Sequence, residues 1–342
     1  MVFLDYASTC PIVKFSSQQY DGFHCNPNAA YAYEERKVLM DCEERIKSAI
    51  GVKGGHVLYF RCATEAIDWL LHETDNWNDT WGHSPYEHDA CLFGVRRLSD
   101  KLTSLDFYIH QWVNHITGEI FDLKTIRSQM SKTCKLIVDA TAGFGKAKLP
   151  SGLDNIADAL FMSGHKIGCP ELSFMWLSDN LCEWLGAAKD IRNQWGLHHG
   201  SLSVASVLAL TDAVEWACEN SERVDGHSVG LYVQMNNLLD EACIEHHDVI
   251  ERQVFAASIN AIRLNGINAD ALQQFLATRG IYVGVGGSAC SAAHDYRVLR
   301  AYGLTDDEAS EVIRVSFGDE TTASDIEALV EGIKEYKEMF IV

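Results

Sequence analysis

Short apolar runs alternating with amphipathic stretches constrain the fold of this chain most. His56–Phe60, Asp89–Val95, Leu105–Trp112, Lys135–Ala140, Ala159–Ser163 and Ser173–Leu177 are strand-length segments rich in Val, Ile, Leu, Phe and Tyr. Between several of them lie segments with helical spacing; Leu39, Cys42, Ile46 and Ile50 fall on one helical face. Parallel strands need a crossover, usually a helix, so this alternation predicts an α/β fold with a mostly parallel central sheet flanked by helices. The last third reads differently. Ala257–Leu264, Ile281–Val285 and Val312–Phe317 are strand candidates. Thr305-Asp-Asp-Glu308 and Ser324-Asp-Ile-Glu327 have the pattern of capping boxes at helix starts. The expected organisation is an N-terminal segment, 1–14, packing with the small domain. A large domain, 15–215, and a smaller C-terminal α+β domain, 216–342, follow, the latter entered through a helix over Ser201–Glu219.

Composition narrows the function. The 342 residues are 47% hydrophobic, enough for a sizeable core, and carry a formal charge of −20. An acidic chain lacks the basic footprint of direct nucleic-acid binding. No apolar run has the length of a membrane span, and Met1-Val-Phe-Leu runs straight into Asp5 without a signal-peptide pattern. The eleven cysteines are scattered, odd in number and contain no CxxC pair, which predicts free thiols in a reducing, cytoplasmic compartment and no metal. Gly143-Phe-Gly145-Lys146 imitates a P-loop, but Ala147 stands where Ser or Thr should follow. The adjacent pairs His198-His199 and His246-His247 have the wrong spacing for one metal.

Five places can carry chemistry, each with a plainer structural reading beside it. Ser163-Gly-His-Lys166 follows an apolar run; a lysine there suits covalent amine chemistry, and Ser163 and His165 can donate to a phosphate, or the lysine is a solvated loop residue. Asp139 closes Leu136-Ile137-Val138, either to hold a cationic ring nitrogen or to cap the next element. Ala63-Thr64-Glu65 opens a helical pattern whose N–H groups suit a phosphate, or Thr64 is an ordinary N-cap. Cys290 ends the small-residue run Gly284-Val-Gly-Gly-Ser-Ala, as a nucleophile or as a buried thiol. Arg314 lies in a strand candidate, to grip a carboxylate or to sit as a surface charge.

Taken in order, the segments resemble the cysteine desulfurases of the class V aminotransferase group, fold-type I enzymes that use pyridoxal 5′-phosphate (PLP). Leu4-Asp-Tyr-Ala-Ser-Thr-Cys-Pro11 resembles LDYAATTP, Cys25-Asn26-Pro27 resembles GNP, and Cys62-Ala-Thr-Glu65 resembles GATE. Glu87-His88-Asp-Ala90 is similar to EHxA, Val113-Asn-His-Ile-Thr-Gly118 to VNNETG, and Val138-Asp-Ala-Thr-Ala142 to VDAxQ. Ser163-Gly-His-Lys166 and Gly287-Ser-Ala-Cys290 match unchanged, and Ile313-Arg-Val-Ser-Phe-Gly318 is similar to IRFSLG.

The resemblance implies roles at matching positions. Lys166 would bond PLP and move protons, and His88 would stack on its ring. Asp139 would pair with the ring nitrogen, and Ala63, Thr64, Ser163 and His165 would hold the phosphate. Ser201 would reach the phosphate of a partner subunit, implying a homodimer with shared active sites. Arg314, Asn26 and Asn114 would bind L-cysteine. Cys290 would take its sulfur as a persulfide for an acceptor protein, releasing alanine. Departures stand beside these matches. Ala142 replaces a Gln near the PLP phenolic oxygen, and His115 replaces an Asn near the same atom, so His115 is expected to supply the lost donor. His198-His-Gly-Ser201 replaces RSGT. A selenocysteine lyase, another class V aminotransferase-like enzyme, or a weakly active partner-binding protein of the same fold are the alternatives.

Overall fold

The computed structural model describes residues 1–23, 25–74, 80–92, 105–250, 254–286 and 295–340. Its strands are β1 (Val2–Leu4), β2 (His56–Phe60), β3 (Trp81–His83), β4 (Phe107–Gln111), β5 (Lys135–Asp139), β6 (Ala159–Met162), β7 (Ser173–Leu177), β8 (His246–Asp248), β9 (Ile259–Leu264), β10 (Ile281–Val285) and β11 (Val312–Ser316). Its helices are α1 (Tyr33–Ile50), α2 (Ala63–Glu73), α3 (Leu123–Gln129), α4 (Asp179–Leu185), α5 (Arg192–Trp195), α6 (Val204–Glu241), α7 (Ala269–Thr278), α8 (Arg297–Ala301), α9 (Asp306–Ala309) and α10 (Ala323–Phe340). The chain divides into two units. The larger comprises Ile12–Trp112 and Phe121–Asn220; the smaller comprises Met1–Pro11, Val113–Ile120 and Ser221–Val342.

The larger unit holds a six-stranded sheet in the order β2-β7-β6-β5-β4-β3. Neighbours β3 to β6 pair in parallel, and β7 runs antiparallel to both β6 and β2. Every strand except β7 therefore points the same way, as the alternating pattern predicted. Both faces are covered, which explains the near-continuous apolar runs. Leu58, Phe107, Ile137 and Phe161 pack on one face with Ile67 and Leu70 of α2 and Leu181 of α4. In α1, Leu39, Cys42, Ile46 and Ile50 are buried, so the helical face read from the sequence is the packed one.

The smaller unit has a five-stranded sheet, β1-β10-β11-β9-β8, with β1 parallel to β10 and the other pairings antiparallel. Leu4, Val283, Ile313 and Val315 pack there with Leu272 and Leu276 of α7 and Leu329 and Ile333 of α10.

Three local expectations change. Of the strand expected over Asp89–Val95, Asp89–Cys91 instead forms a 3₁₀ turn capped by His88, and the sheet position beside β4 is taken by β3; 93–95 lie outside the described residues. The helix expected over Ser201–Glu219 is α6, which starts at Val204 and runs to Glu241. The box at Thr305–Glu308 forms as read, whereas α10 is capped one position pair earlier. There the Asp325 carboxylate accepts from both the Thr322 N–H and its hydroxyl at 2.8 Å.

Beyond β6 the chain turns through a 3₁₀ segment, Gly164–Ile167. A Cβ on Gly164 would lie 2.1 Å from the Leu172 carbonyl oxygen and 2.5 Å from that of Cys169. Both are backbone atoms and cannot swing away. Gly164→Ala is expected to destabilise the fold by about 1–3 kcal/mol through overpacking, read as a lower urea midpoint with an unchanged slope.

Candidate active site

Because β2, β4, β5 and β6 run the same way, their C-terminal ends lie along one sheet edge, the place where open α/β sheets bind ligands. Four elements deliver polar groups to that edge. Asp139 is the last residue of β5 and is only 7% exposed. Its Oδ1 accepts the Thr141 N–H at 2.8 Å, and the Cys91 thiol donates to its Oδ2 at 3.9 Å. A carboxylate that deep needs donors, since an uncompensated buried charge costs several kcal/mol.

Register places Phe161 of β6 opposite Asp139, and the chain then passes through Ser163 into the turn carrying Lys166. Lys166 is half-buried. Ser173 at the start of β7 accepts the Gly164 N–H at 3.3 Å, and its hydroxyl lies 3.4 Å from that of Ser163. The His165 imidazole is pushed down to about 4, first by burial and then by the charges of Lys166 and Lys146. It is therefore neutral at pH 7, with one N–H to donate.

His88 precedes the 3₁₀ turn Asp89–Cys91, and its Nδ1 accepts the Ala90 N–H at 3.1 Å, which leaves the ring proton on Nε2. Glu87 ties this turn to the sheet: its Oε1 accepts the Gln111 N–H at 2.8 Å and the Ser84 hydroxyl at 2.9 Å. At the end of β2, helix α2 is capped by the Cys62 sulfur, which accepts the Glu65 N–H at 3.5 Å. Thr64 is thus the second helical residue rather than the N-cap. The N–H groups of Ala63 and Thr64 have no intrahelical acceptor and point out of the helix start.

Other expected site residues lie in loops. Asn26 is exposed, and its side chain accepts the Asn28 N–H at 2.9 Å. Asn28 in turn reaches the Gly200 carbonyl at 3.4 Å and accepts the Asn193 N–H at 2.8 Å, tying the Asn26 turn to the loop of Ser201. Ser201 is exposed ahead of α6. Asn193, Gln194 and Trp195 all have positive φ, 50–62°, a costly left-handed stretch held by Gln194 against the Tyr59 backbone.

In the smaller unit Arg314 is 2% exposed, not the surface charge that strand alternation allowed, because β11 is buried along its length. Its guanidinium donates to Asp5 at 2.6 Å, to the Ser8 hydroxyl at 2.8 Å and to the His115 carbonyl at 3.0 Å. Its Nε is buried with no partner among the described residues. Gly284 approaches so closely that a Cβ would lie 2.9 Å from that Nε. Asn114 is fully buried; its Oδ1 accepts the N–H groups of Ile116 and Thr117, while its Nδ2 is an unpartnered donor among the described residues. Ala142 is buried in the larger unit, and His115 belongs to the smaller. Cys290 lies outside the described residues.

A family profile described as aminotransferase class V matches residues 98–329, more than half of the chain. The chain belongs to the class V aminotransferase family. A putative cysteine desulfurase NifS of Halalkalibacterium halodurans is 24% identical, with 98% of each chain covered. A cysteine desulfurase IscS of Mannheimia succiniciproducens is 27% identical over 97% of this chain and 92% of its own. Among solved structures, a NifS-like protein superposes with a TM-score of 0.83 at 19% identity, covering 99% of this chain and all of its own. A NifS-like protein from Rickettsia africae superposes with 0.79 at 17% identity. These structural likenesses establish the fold, in agreement with the fold-type I architecture expected from the sequence.

Class V aminotransferases are generally PLP-dependent, and the donor set at the sheet edge fits that cofactor. A buried carboxylate suits a protonated ring nitrogen, a lysine on the adjacent strand end suits an aldehyde, and open helix N–H groups with Ser163 and neutral His165 suit a phosphate. The hydroxyl of Thr141, next to Asp139, is buried without a partner among the described residues, a polar atom that a bound ligand would satisfy. The sequence reading overlooked Thr141, Cys91, Ser173 and the anchoring role of Glu87. Only Glu87 had a visible signal, as the acid of the EHxA segment.

Two outcomes follow. Asp5→Ala leaves a buried guanidinium short of its counter-charge and should cost about 3 kcal/mol in urea unfolding, with part recovered in the Asp5→Ala, Arg314→Met double variant. Burial also pushes His110 down to about 4, like His165. Unfolded histidines titrate near 6.5, so between about 6.5 and about 4 the unfolded chain binds more protons. Stability should therefore fall as pH drops through that window, and His165→Gln should flatten the fall in urea midpoints measured against pH.

Proposed function

We propose that this protein is a PLP-dependent cysteine desulfurase that converts L-cysteine to L-alanine and passes sulfur, as a persulfide on Cys290, to an acceptor protein. The observation that carries the reading is the placement of buried Asp139 at the end of β5 and half-buried Lys166 in the turn after the neighbouring strand β6, at the edge where α2 begins. The named relatives support the reaction class. Bound PLP supplies an electron sink for the carbon that loses its proton.

The chain's own residues do the rest. Lys166 holds the cofactor covalently and then moves a proton at the substrate's Cα. Asp139 would keep the ring nitrogen of bound PLP protonated, and His88, with its proton on Nε2, would stack on the ring. The N–H groups of Ala63 and Thr64, the Thr64 and Ser163 hydroxyls and the neutral His165 hold the phosphate; Ser201 does so for the partner subunit of a homodimer. Arg314, fixed by Asp5, Ser8 and the His115 carbonyl, would offer its Nε, unpartnered among the described residues, to the substrate carboxylate, and the Asn114 Nδ2 and Asn26 would add donors. His115 compensates for Ala142 at the phenolic oxygen. In the net reaction the substrate Cβ–S bond breaks, Cβ gains a proton, and the sulfur bonds to the Cys290 Sγ.

No described helix is long and apolar enough to cross a membrane. A cytoplasmic site of action is part of the proposal, as is a basic sulfur acceptor suited to the −20 charge. A selenocysteine lyase would retain the same groups and differ in substrate. PLP-loaded wild type supplied with L-cysteine and a thiol reductant should release alanine, and Cys290→Ala should release at least about 100-fold less, since the nucleophile carries the sulfur step. Alanine release undiminished in Cys290→Ala would overturn the persulfide role.

A further inference from the structure

One thiol beside the proposed cofactor site is used by none of the steps above. Cys91 is fully buried in an apolar cluster with Ile67, Leu70, Ile137 and Phe161. It closes the 3₁₀ turn that His88 opens, donating its N–H to the His88 carbonyl at 2.9 Å. His88 is the extended residue that caps the turn, and Cys91 is the turn's last residue, so one short segment carries both. Glu87 anchors the start of that turn to β4 through the Gln111 N–H and Ser84. The Cys91 Sγ lies 3.9 Å from the Asp139 Oδ2, while the Thr141 N–H holds Oδ1 at 2.8 Å.

Among the described residues each oxygen of Asp139 thus has one donor, which orients the carboxylate plane and leaves each oxygen a further lone pair. Thiol chemistry suits the place. A cysteine packs in an apolar cluster as a small hydrophobe, and its S–H donates only weakly, so it orients the carboxylate without consuming its charge. We propose that Cys91 is a positioning residue whose thiol holds the Asp139 carboxylate in the orientation that receives the ring N–H of PLP. This rests on the reading of Asp139 given under Proposed function.

The test compares wild type, Cys91→Val and Cys91→Ser as full-length proteins titrated with PLP. Tryptophan quenching reads the affinity, and the visible absorption band of bound PLP reports the ring's environment. Cys91→Val keeps the packing and loses the donor; it should bind PLP roughly 3- to 10-fold more weakly and shift the visible band. Cys91→Ser retains a donor and should stay close to wild type in both. The inference is overturned if Cys91→Val matches wild type, or if Cys91→Ser departs as far as Cys91→Val, which would assign the effect to packing. Wild type that takes up no PLP would overturn the reading of Asp139, and this inference with it; normal uptake with an indifferent Cys91→Val sinks this inference alone.

Discussion

A carboxylate cannot sit at 7% exposure at the end of a buried strand without donors around it, and Asp139 organises the larger unit accordingly. The Thr141 N–H on one oxygen and the Cys91 thiol on the other draw in the turn after β5 and the turn after β3. That second turn carries His88, and Glu87 pins it to the backbone of Gln111 at the end of β4. The neighbouring strand end delivers Lys166. The candidate site residues are thus carried by strand ends and by turns tied to the sheet, which is where a site is held most firmly.

The smaller unit solves the opposite problem, a buried cation. Arg314 donates to three acceptors from two segments distant in sequence: Asp5 and Ser8 near the start of the chain, and the carbonyl of His115. This explains why Met1–Pro11 and Val113–Ile120 belong to the same unit as residues after Ser221. Breaking such a cluster leaves a buried charge with nowhere to go, and its Nε is a buried donor without a partner among the described residues.

Much of this was legible in the residues. β2, β7 and β10 have the limits that their apolar runs indicate; for β7, buried along its length, the reason is that a strand covered on both faces must be apolar throughout. The Thr305–Glu308 box is local chemistry and forms as written. Failures came where local pattern was ambiguous. Asp89–Cys91 is apolar enough for a strand, but a histidine acting as a cap and a competing strand in the adjacent sheet position decided otherwise. Thr322 outcompeted Ser324 because Asp325 sits where one carboxylate can accept twice from Thr322. Arg314 looked like a surface charge because alternation cannot reveal a strand covered on both sides.

The sequence by itself determined the α/β class, through periodicity, and the order of the segments that resemble the cysteine desulfurases; that resemblance, rather than periodicity, is what implied PLP roles for Lys166, Asp139, His88, Ser163 and His165. Only the tertiary structure decided that Cys91 touches Asp139, that Ser173 aligns Ser163, that the Thr141 hydroxyl has no partner among the described residues and that Arg314 is clamped by Asp5. Such contacts join positions ten to more than three hundred residues apart. They are set by strand order and register, which no window of sequence encodes.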